Sequence, residues 1–372
     1  MPRDNGPIRV LVVDDSAAAR SAFRKLLSED PGITVQGMAG DPFEAAQLMR
    51  KALPDVILLD LQLPRMDGLT FLRKIMAQHP LPVVVCSSLT KKGSQKAIKA
   101  LEFGAAEVIA KPGMATSNDR CEAQIRLCDA IHAAVSSSNG HRKIAAAKPM
   151  SPGPKLTADV ILPARRANPD IGFPGGQIIA IGASTGGTEA LAKILRELPG
   201  DMPPIVIVQH MPEHFTRSFA ERLNGLSPLE VVEACNGEKV LRGRVVIAPG
   251  NKHAILRRSG KAYRLDLVDG PYVARHRPSV DVLFRSVAQS AGNKALGVIM
   301  TGMGDDGARG LLEMRDAGAD TFVQDETSSV VFGMPKEALA LGASDRTVAL
   351  SSIPRALQDW SKANTLGCLR NP

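Results

Sequence analysis

Cysteine, aromatic side chains and long apolar runs are all scarce in this sequence of 372 residues. Its five cysteines are scattered and never spaced CxxC, so they predict neither a disulfide framework nor a zinc ribbon: Cys86, Cys121, Cys128, Cys235 and Cys368. The longest apolar runs are strand-sized and fall short of the roughly 18 to 20 residues of a membrane helix. The N-terminus also lacks the regions of a signal peptide. We therefore expect a cytoplasmic protein with no membrane insertion.

The scarcity of aromatic residues also bears on nucleic acid as a partner. Two Tyr, one Trp and ten Phe leave little material for stacking on bases. The net charge is +8, but residues 136–176 alone hold six Lys/Arg against two Asp/Glu, and the flanking parts are nearly balanced. We therefore expect no nucleic-acid partner. A DNA-binding output domain would need a basic helix-turn-helix, which the sequence does not show.

The organisation of the chain follows from one stretch rich in proline. At roughly 150 residues per domain, the length predicts two or three domains. Residues 136–176 hold six prolines and no sustained apolar period, which is typical of a linker. The apolar segment LTADVILP within it leaves open that part of the linker packs at a domain interface. The predicted division is a first domain at 1–135, a linker at 136–176 and a second domain at 177–372.

Strand-like and helix-like segments alternate on both sides of this linker. Strands are predicted at 8–13, 33–38, 56–60, 82–86 and 106–109, and again at 177–182, 204–209, 245–248, 295–300 and 320–323. A β-ribbon is predicted over 253–268, with its turn at Ser259-Gly260. Such alternation implies α/β architecture: two doubly wound, mainly parallel-sheet domains, flavodoxin-like and then Rossmann-like. Functional residues are expected at the carboxyl ends of the strands.

Polar residues follow four of the five strands predicted in the first domain. They are Asp14 and Asp15 after the first strand, Asp60 at the third, Ser87 and Ser88 at the fourth, and Lys111-Pro112 after the fifth. Carboxylates, hydroxyls and an ammonium group suit a Mg²⁺ site with a carboxylate that accepts a phosphoryl group. Any single aspartate could instead be a helix cap. The whole set in this order favours a site.

These segments resemble a response-regulator receiver domain over about residues 7–130. The resemblance rests on VLVVDDS, DVILLDLQLPRMDG, VVVCSSLT and the Lys111-Pro112 pair. It implies Asp60 as the phosphoacceptor and a histidine kinase as the phosphodonor. It further implies that Asp14, Asp15 and Asp60 hold Mg²⁺, that Ser87 is the switch hydroxyl, that Lys111 contacts the phosphoryl group and that the bond before Pro112 is cis. Gln62-Leu63 departs from the usual pattern without affecting this chemistry.

In the second domain, Ser184 lies at a glycine-rich turn between a predicted strand and helix. Within IGASTGGTEAL this turn could serve a serine nucleophile with an oxyanion site, or a phosphate cradle, or Ser184 could simply cap the helix. The turn matches no nucleotide-binding motif.

Two further segments supply partners that a serine nucleophile needs. His210 ends the next predicted strand and is a candidate base. It also begins an HxxEH zinc pattern, which needs both histidines on one helix, and Pro212 argues against that. Asp305 and Asp306 lie in a glycine-rich loop, where either could orient the histidine or cap a helix.

The second domain is similar to the catalytic domain of chemotaxis protein-glutamate methylesterases over residues 177 to about 362. The segments are IGASTGGTEAL, IVIVQHMP, HRPSVDVLF, IMTGMGDDGARGL and VVFGMPKEAL. The resemblance implies that Ser184 is the nucleophile, His210 the general base, Asp306 the residue that orients it, and the backbone N–H of Met303 an oxyanion donor. It implies hydrolysis of glutamate methyl esters on methyl-accepting chemotaxis receptors, and deamidation of their glutamines, without a cofactor for the esterase reaction.

Two consequences of this resemblance remain to be tested. Phosphorylation of Asp60 is expected to uncover the catalytic cleft, so that deleting residues 1–176 should raise basal activity. The segment from His276 to Asp281 is expected to border the cleft. The alternative is a catalytically inactive adaptor that docks on receptors and relays the phosphorylation signal.

Overall fold

The structure, a computed structural model, describes residues 6–88, 91–111, 117–138, 155–164, 176–260 and 262–368. The chain forms two compact units, Met1–Gly153 and Pro154–Pro372. Pro112, and with it the expected cis bond, lies outside the described residues, as do most of the residues of the predicted linker. The predicted limits of that linker stay a prediction. Of its described residues, 136–138 end a helix of the first unit, and 155–164 and Gly176 belong to the second unit.

The first unit contains a five-stranded parallel sheet in the order β2-β1-β3-β4-β5. This order confirms the flavodoxin-like prediction. Its strands are β1 (Ile8–Val13), β2 (Ile33–Ala39), β3 (Val56–Asp60), β4 (Val83–Ser87) and β5 (Glu107–Ala110). Its helices are α1 (Ala17–Leu27), α2 (Pro42–Lys51), α3 (Gly68–Gln78), α4 (Lys91–Glu102) and α5 (Ser117–Ser138).

Local sequence explains where these elements begin. The strands β3 and β4 are buried along their whole length, as expected for apolar strands covered on both faces. Asp41 caps α2 by accepting hydrogen bonds from the backbone N–H groups of Phe43 and Glu44 at 2.8 and 2.9 Å. Because β1 and β3 are parallel neighbours, their carboxyl ends lie side by side at the point where the strand order diverges.

The second unit is built on a seven-stranded parallel sheet in the order β15-β14-β13-β6-β7-β10-β8. Its strands are β6 (Ile178–Ala183), β7 (Ile205–Gln209), β8 (Glu230–Glu233), β10 (Arg244–Ile247), β13 (Ala295–Ile299), β14 (Asp320–Gln324) and β15 (Thr347–Val348). Its helices are α6 (Gly187–Glu197), α7 (Phe215–Leu226), α8 (Val280–Ala291), α9 (Ala308–Asp316), α10 (Met334–Ala340) and α11 (Ile353–Cys368). The Rossmann-like prediction is therefore confirmed.

A small antiparallel sheet of β9 (Glu238–Val240), β11 (His253–Ser259) and β12 (Ala262–Val268) completes this unit, in the order β11-β12-β9. It confirms the predicted ribbon but moves its turn, because Ser259 pairs with Ala262 and therefore belongs to the strand. Gly260, at φ +62°, takes the left-handed conformation that such a tight turn requires.

The strand order fixes where a site can form in the second unit. From β6 the chain proceeds to β7 on one side, whereas β13 lies on the other side and leads to β14. The carboxyl ends of β6 and β13 therefore flank a crevice at the switch point of the sheet.

In the described part of the chain, no helix is long and apolar enough to span a membrane.

Candidate functional site

The predicted acidic cluster of the first unit forms where β1, β3 and β5 end. Oxygen atoms of Asp14, Asp15 and Asp60 lie within 4.8 Å of one another. Lys111 Nζ lies 2.8 Å from Asp14 Oδ2 and 2.7 Å from Asp60 Oδ2. At the end of β4, the Ser87 hydroxyl is buried and donates to the carbonyl of Gly93 at 3.2 Å. The structure thus brings the cluster, including Lys111, together at one edge of the sheet.

Burial dominates the electrostatics of this cluster. It raises the pKa of Asp60, although the hydrogen bond from Lys111 acts in the opposite direction. Burial also opposes the charge of Lys111, but hydrogen bonds to Asp14 and Asp60 outweigh it and raise the pKa of the ammonium group. Asp60 Oδ1 is buried without a hydrogen-bond partner among the described residues. Three carboxylates with a coordination position still open fit Mg²⁺, which prefers oxygen ligands.

In the second unit, Ser184 stands between the end of β6 and the start of α6. Its carbonyl accepts hydrogen bonds from Gly187 N–H at 2.8 Å and from Gln209 Nε2 at 2.8 Å. Gly186 has φ +78°, and this left-handed conformation allows the chain to turn sharply from β6 into α6. The first N–H groups of the helix therefore lie next to Ser184, as expected of a nucleophile or anion site at such a turn.

His210 follows β7, the neighbouring strand of the same sheet. Ala183 pairs with Gln209, and the His210 N–H donates to the Ala183 carbonyl at 3.0 Å, so His210 and Ser184 leave adjacent strand ends. The helix α7 begins at Phe215, so His210 is not helical and the zinc interpretation of HxxEH is not supported. No hydrogen bond joins the Ser184 hydroxyl to His210 within the described structure. Such contacts are often loose before substrate binds.

Asp306 is fully buried and accepts four hydrogen bonds. His210 Nε2 lies 2.8 Å from its Oδ2, which also accepts from Val280 N–H at 2.7 Å. The Ser279 hydroxyl and Asp281 N–H donate to Oδ1 at 2.7 and 3.0 Å. Burial alone would raise the pKa of this carboxyl, but the hydrogen bond from His210 and the other donors outweigh it and lower the pKa. Asp306 is therefore an ionised orienting group.

The tautomer of His210 follows from this ionised partner. A carboxylate can only accept, so the proton of the His210 ring is on Nε2. The other nitrogen, Nδ1, is buried and has no hydrogen-bond partner among the described residues. The contact with Asp306 thus occupies only one nitrogen of the His210 ring.

The loop after β13 approaches Ser184 closely. A Cβ added to Gly302 would lie 2.7 Å from Cβ of Ser184, and Ser184 N–H donates to the Thr301 carbonyl at 3.0 Å. The next N–H along the loop, that of Met303, donates to no other described residue. Asp305, the neighbour of Asp306, instead pairs with Lys155 Nζ at 2.6 Å. The structure therefore groups Ser184, His210, Asp306 and Met303 at one edge of the sheet.

Two residues of the segment that the sequence predicts only to border the cleft, His276 and Asp281, complete this neighbourhood. The His276 ring stacks on the His210 ring, with centroids 3.6 Å apart and 5° between the planes. Asp281 accepts from the N–H groups of Gly307 and Gly310 at 3.0 and 2.7 Å, and so caps α9. Their only sequence signal is the polar cluster HRPSVD directly before an apolar helix.

Two of the buried groups around Asp306 have shifted pKa values. Burial, together with the nearby charge of Asp306, raises the pKa of Asp281 to about 8. His253 Nε2 lies 2.9 Å from the Pro271 carbonyl, and its Nδ1 accepts from Ser279 N–H at 3.3 Å. Burial lowers the pKa of His253, so this ring is neutral. Its two nitrogens contact the backbone at Pro271 and at Ser279, the first and last residues of the 271–279 loop.

His210, His276 and Asp306 also place ligand-type atoms within 4.8 Å of one another. The two rings are parallel and stacked, however, so their in-plane lone pairs do not converge on one point. The first unit therefore offers the better metal site.

Comparisons with known proteins agree with this geometry. The CheB methylesterase family matches residues 179–357, and the response regulator receiver domain matches residues 10–118. A protein-glutamate methylesterase/protein-glutamine glutaminase of Anaeromyxobacter dehalogenans is 56% identical, over 94% of this chain and 96% of its own length. Another, of Geobacter metallireducens, is 55% identical over 94% of this chain and 97% of its own. The crystal structure of the Thermotoga maritima CheB methylesterase catalytic domain is 39% identical, covers 50% of this chain and 99% of that chain, and has a TM-score of 0.49.

Proposed function

The chain belongs to the family of protein-glutamate methylesterases/protein-glutamine glutaminases that combine a receiver domain with a CheB methylesterase domain, and we propose that Ser184, His210 and Asp306 carry out its ester hydrolysis. The substrates are glutamate methyl esters on chemotaxis receptors. One observation carries the proposal: the buried, ionised Asp306 holds His210 through Nε2, so that Nδ1 is the ring nitrogen left for the nucleophile, and His210 follows the strand next to the one that leads to Ser184.

The first half of the reaction follows from that arrangement. Rotation of the Ser184 side chain brings its hydroxyl to His210 Nδ1, which takes the proton as Oγ attacks the ester carbonyl carbon. The imidazolium that forms is stabilised by Asp306. The proton then passes to the methoxy group, methanol leaves, and an acyl-enzyme on Ser184 remains. With glutamine as the substrate, the leaving group is ammonia.

The oxyanion of this step needs backbone donors. The Met303 N–H is available, and the closeness of Gly302 to Ser184 brings it to the nucleophile. Losing one such donor typically costs about 2.7 to 4 kcal/mol of transition-state stabilisation. In the second half, His210 takes a proton from water as its oxygen attacks the acyl carbon. The bond from that carbon to Ser184 Oγ then breaks, His210 returns the proton to Oγ, and the glutamate is released with a free carboxyl group that ionises in water.

The receiver domain supplies the control, with Asp60 as the phosphoacceptor. Asp14, Asp15 and Asp60 would hold Mg²⁺, which, when bound, neutralises charge on a phosphoryl group. Lys111 already bridges Asp14 and Asp60 and is placed to contact the added phosphoryl oxygens. The family architecture makes a chemotaxis histidine kinase the phosphodonor and methyl-accepting receptors the substrate.

Methanol release from methylated receptor membranes tests the esterase. The full chain is compared with Ser184→Ala, with a small phosphodonor and Mg²⁺ present, and Ser351→Ala serves as a control at an exposed serine of the same unit. We expect release by the native chain and the control, and none above background by Ser184→Ala. Equal release from all three would remove Ser184 from the mechanism. No release from any of them would favour the adaptor interpretation.

The control by phosphorylation is tested separately with Asp60→Asn. We expect this variant to keep basal methanol release but to lose the increase that a phosphodonor produces in the native chain. Glu29→Gln, an acid-to-amide change at an exposed position of the same unit, should retain the increase. An increase that survives in Asp60→Asn would exclude Asp60 as the acceptor that controls the enzyme.

A further inference from the structure

Residues 155–164, which the sequence assigns to the linker, are docked on the catalytic unit and are here called the strap. The strap makes a short 3₁₀ turn at Ala158–Val160. Ala158 and Leu162 are buried in a separate apolar cluster, which they share with Ile255, Val273, Ala274 and Val282. Ile161 packs over Gly270, where any side chain would collide with it. The apolar residues of LTADVILP thus have a defined place in the fold.

Side chains of α8 fix the strap from its other side. Arg285 Nη1 donates to Asp159 Oδ1 at 2.8 Å and to the Leu162 carbonyl at 2.9 Å. The guanidinium side chain is only 7% exposed and is itself held by two oxygens of Glu313. Gln289 Nε2 donates to the Pro163 carbonyl at 3.0 Å. The buried bond from Arg285 to the Leu162 carbonyl defines one position of the strap, since its loss would leave a buried charge short of an acceptor.

The strap also holds the turn that carries His276. Ala274 N–H donates to the Leu156 carbonyl at 2.9 Å. Ala274 and Arg275 have φ of +48° and +70°, the left-handed region that residues with a Cβ rarely occupy. Such strained backbone persists only where its surroundings fix it. The bond from Leu156 is one of these constraints, and the residue placed by the turn is the histidine stacked on His210.

A second contact reaches the loop on the other side of His210. Lys155 Nζ lies 2.6 Å from Asp305 Oδ1. Asp305 directly precedes the orienting carboxylate Asp306 and follows Met303 by two residues. The first two residues of the strap therefore bind both loops that flank His210, the 273–276 turn and the 303–307 loop.

We propose that the strap positions the catalytic histidine, by holding the His276 turn through Leu156 and the Asp305–Asp306 loop through Lys155. Lys155 and Leu156 are thus positioning residues for the esterase, and the functional catalytic unit begins near residue 155 instead of residue 177. A deletion of residues 1–176 would therefore remove the strap together with the receiver, and the release expected from removing the receiver applies to a deletion that ends before residue 155. The proposal rests on the proposed function for its kinetic consequence.

The test uses the full chain and two pairs of matched variants. Leu162→Asp places a charge in the buried cluster, whereas Val160→Asp places the same charge on an exposed position of the same strap. Lys155→Ala removes the ion pair to Asp305 at a partly exposed site where folding is not at risk, and Lys155→Arg restores it. kcat and KM for methanol release are measured, together with amide hydrogen exchange in peptides that cover 273–279 and 303–307.

We expect Leu162→Asp to lower kcat about tenfold or more with little change in KM, and to speed exchange in both peptides, because misplaced catalytic groups slow chemistry rather than binding. Val160→Asp should match the native chain. Lys155→Ala should lower kcat about two- to fivefold, as suits one partly exposed ion pair, and Lys155→Arg should recover it.

Equal kcat and equal exchange in Leu162→Asp and Val160→Asp would overturn the proposal. So would a Lys155→Ala chain whose kcat equals that of the native chain. If the native chain released no methanol, the proposed function would fail instead, and the exchange comparison would still decide whether the strap holds the two loops.

Discussion

Asp281 offers a prediction in which the sign of a pH effect is fixed by the structure. Its carboxyl is 5% exposed and lies next to the ionised Asp306. Its Oδ1 accepts hydrogen bonds from two backbone N–H groups at the start of α9. Burial and that neighbouring charge raise its pKa to about 8. Asp281→Asn keeps an oxygen for both N–H groups and removes the ionisable proton. We expect this variant to be more stable than the native chain at neutral pH.

The magnitude follows from proton linkage. In the unfolded chain the carboxyl ionises near pH 3.9, whereas in the folded protein it keeps its proton up to about pH 8. The folded state therefore binds more protons between these values, and this group's contribution to stability is full below about pH 4 and falls as pH rises towards 8. The slope is at most about 1.4 kcal/mol per pH unit, so the advantage of Asp281→Asn at pH 7 is on the order of 4 kcal/mol as an upper figure.

The single tryptophan provides the assay. Trp360 lies in α11 of the second unit and donates to Asp320 Oδ2 at 2.7 Å, so urea unfolding followed by its fluorescence reports this unit within the full chain. Native chain, Asp281→Asn and the exposed control Asp316→Asn are compared at several pH values from about 5 to about 8. The difference between Asp281→Asn and native should grow with pH and exceed that of the control. A constant or shrinking difference would show that Asp281 is ionised in the fold, and the reasoning would be refuted.

Three further predictions concern the same neighbourhood. Asp306→Asn should lower kcat for methanol release by about 10⁴, because an amide does not hold His210 in the required tautomer; a loss below tenfold would contradict an orienting role. Gly302→Ala should lower kcat at least about tenfold, since its Cβ would lie 2.7 Å from Cβ of Ser184, whereas Gly225→Ala, in open space, should not. Burial lowers the pKa of His253, so the stability that this residue contributes is full above about pH 6.5. Below that pH the free energy of unfolding should fall by up to about 1.4 kcal/mol per pH unit. If a His253→Gln chain showed the same fall with pH as the native chain in the fluorescence assay, the prediction would be contradicted.

The elements that sequence predicted well are those with a strong local signal. The buried strand β6 and the following turn at Ser184 could be read from one apolar run and its glycines, and both unit folds followed from the alternation of such runs. The short edge elements β8, β9 and β15 were missed, because two to four residues carry no period that distinguishes a strand from a loop.

The residues of the candidate site that lie at the ends of strands could be predicted from the sequence. Ser184, His210 and Asp306 each end or follow a parallel strand, so topology alone brings them near one another. The groups around them were not predictable in the same way. The stacking of His276, and the docking of the strap at Leu156, depend on loops whose course is set by packing with residues far away in the sequence.

The same residue type at the same topological position has different surroundings in the two units. Asp60 ends β3 next to β1, where the strand order of the first sheet diverges, and Asp306 follows β13 next to β6, where the second one does. Asp306 accepts four hydrogen bonds and its pKa is lowered, so it is a fixed anion that cannot bind anything further. Asp60 has one buried oxygen without a partner among the described residues, and burial raises its pKa, so it needs a cation and can accept a new bond. The number of donors that surround each carboxylate therefore distinguishes the proposed phosphoacceptor from the proposed orienting group, although both occupy the switch point of a parallel sheet.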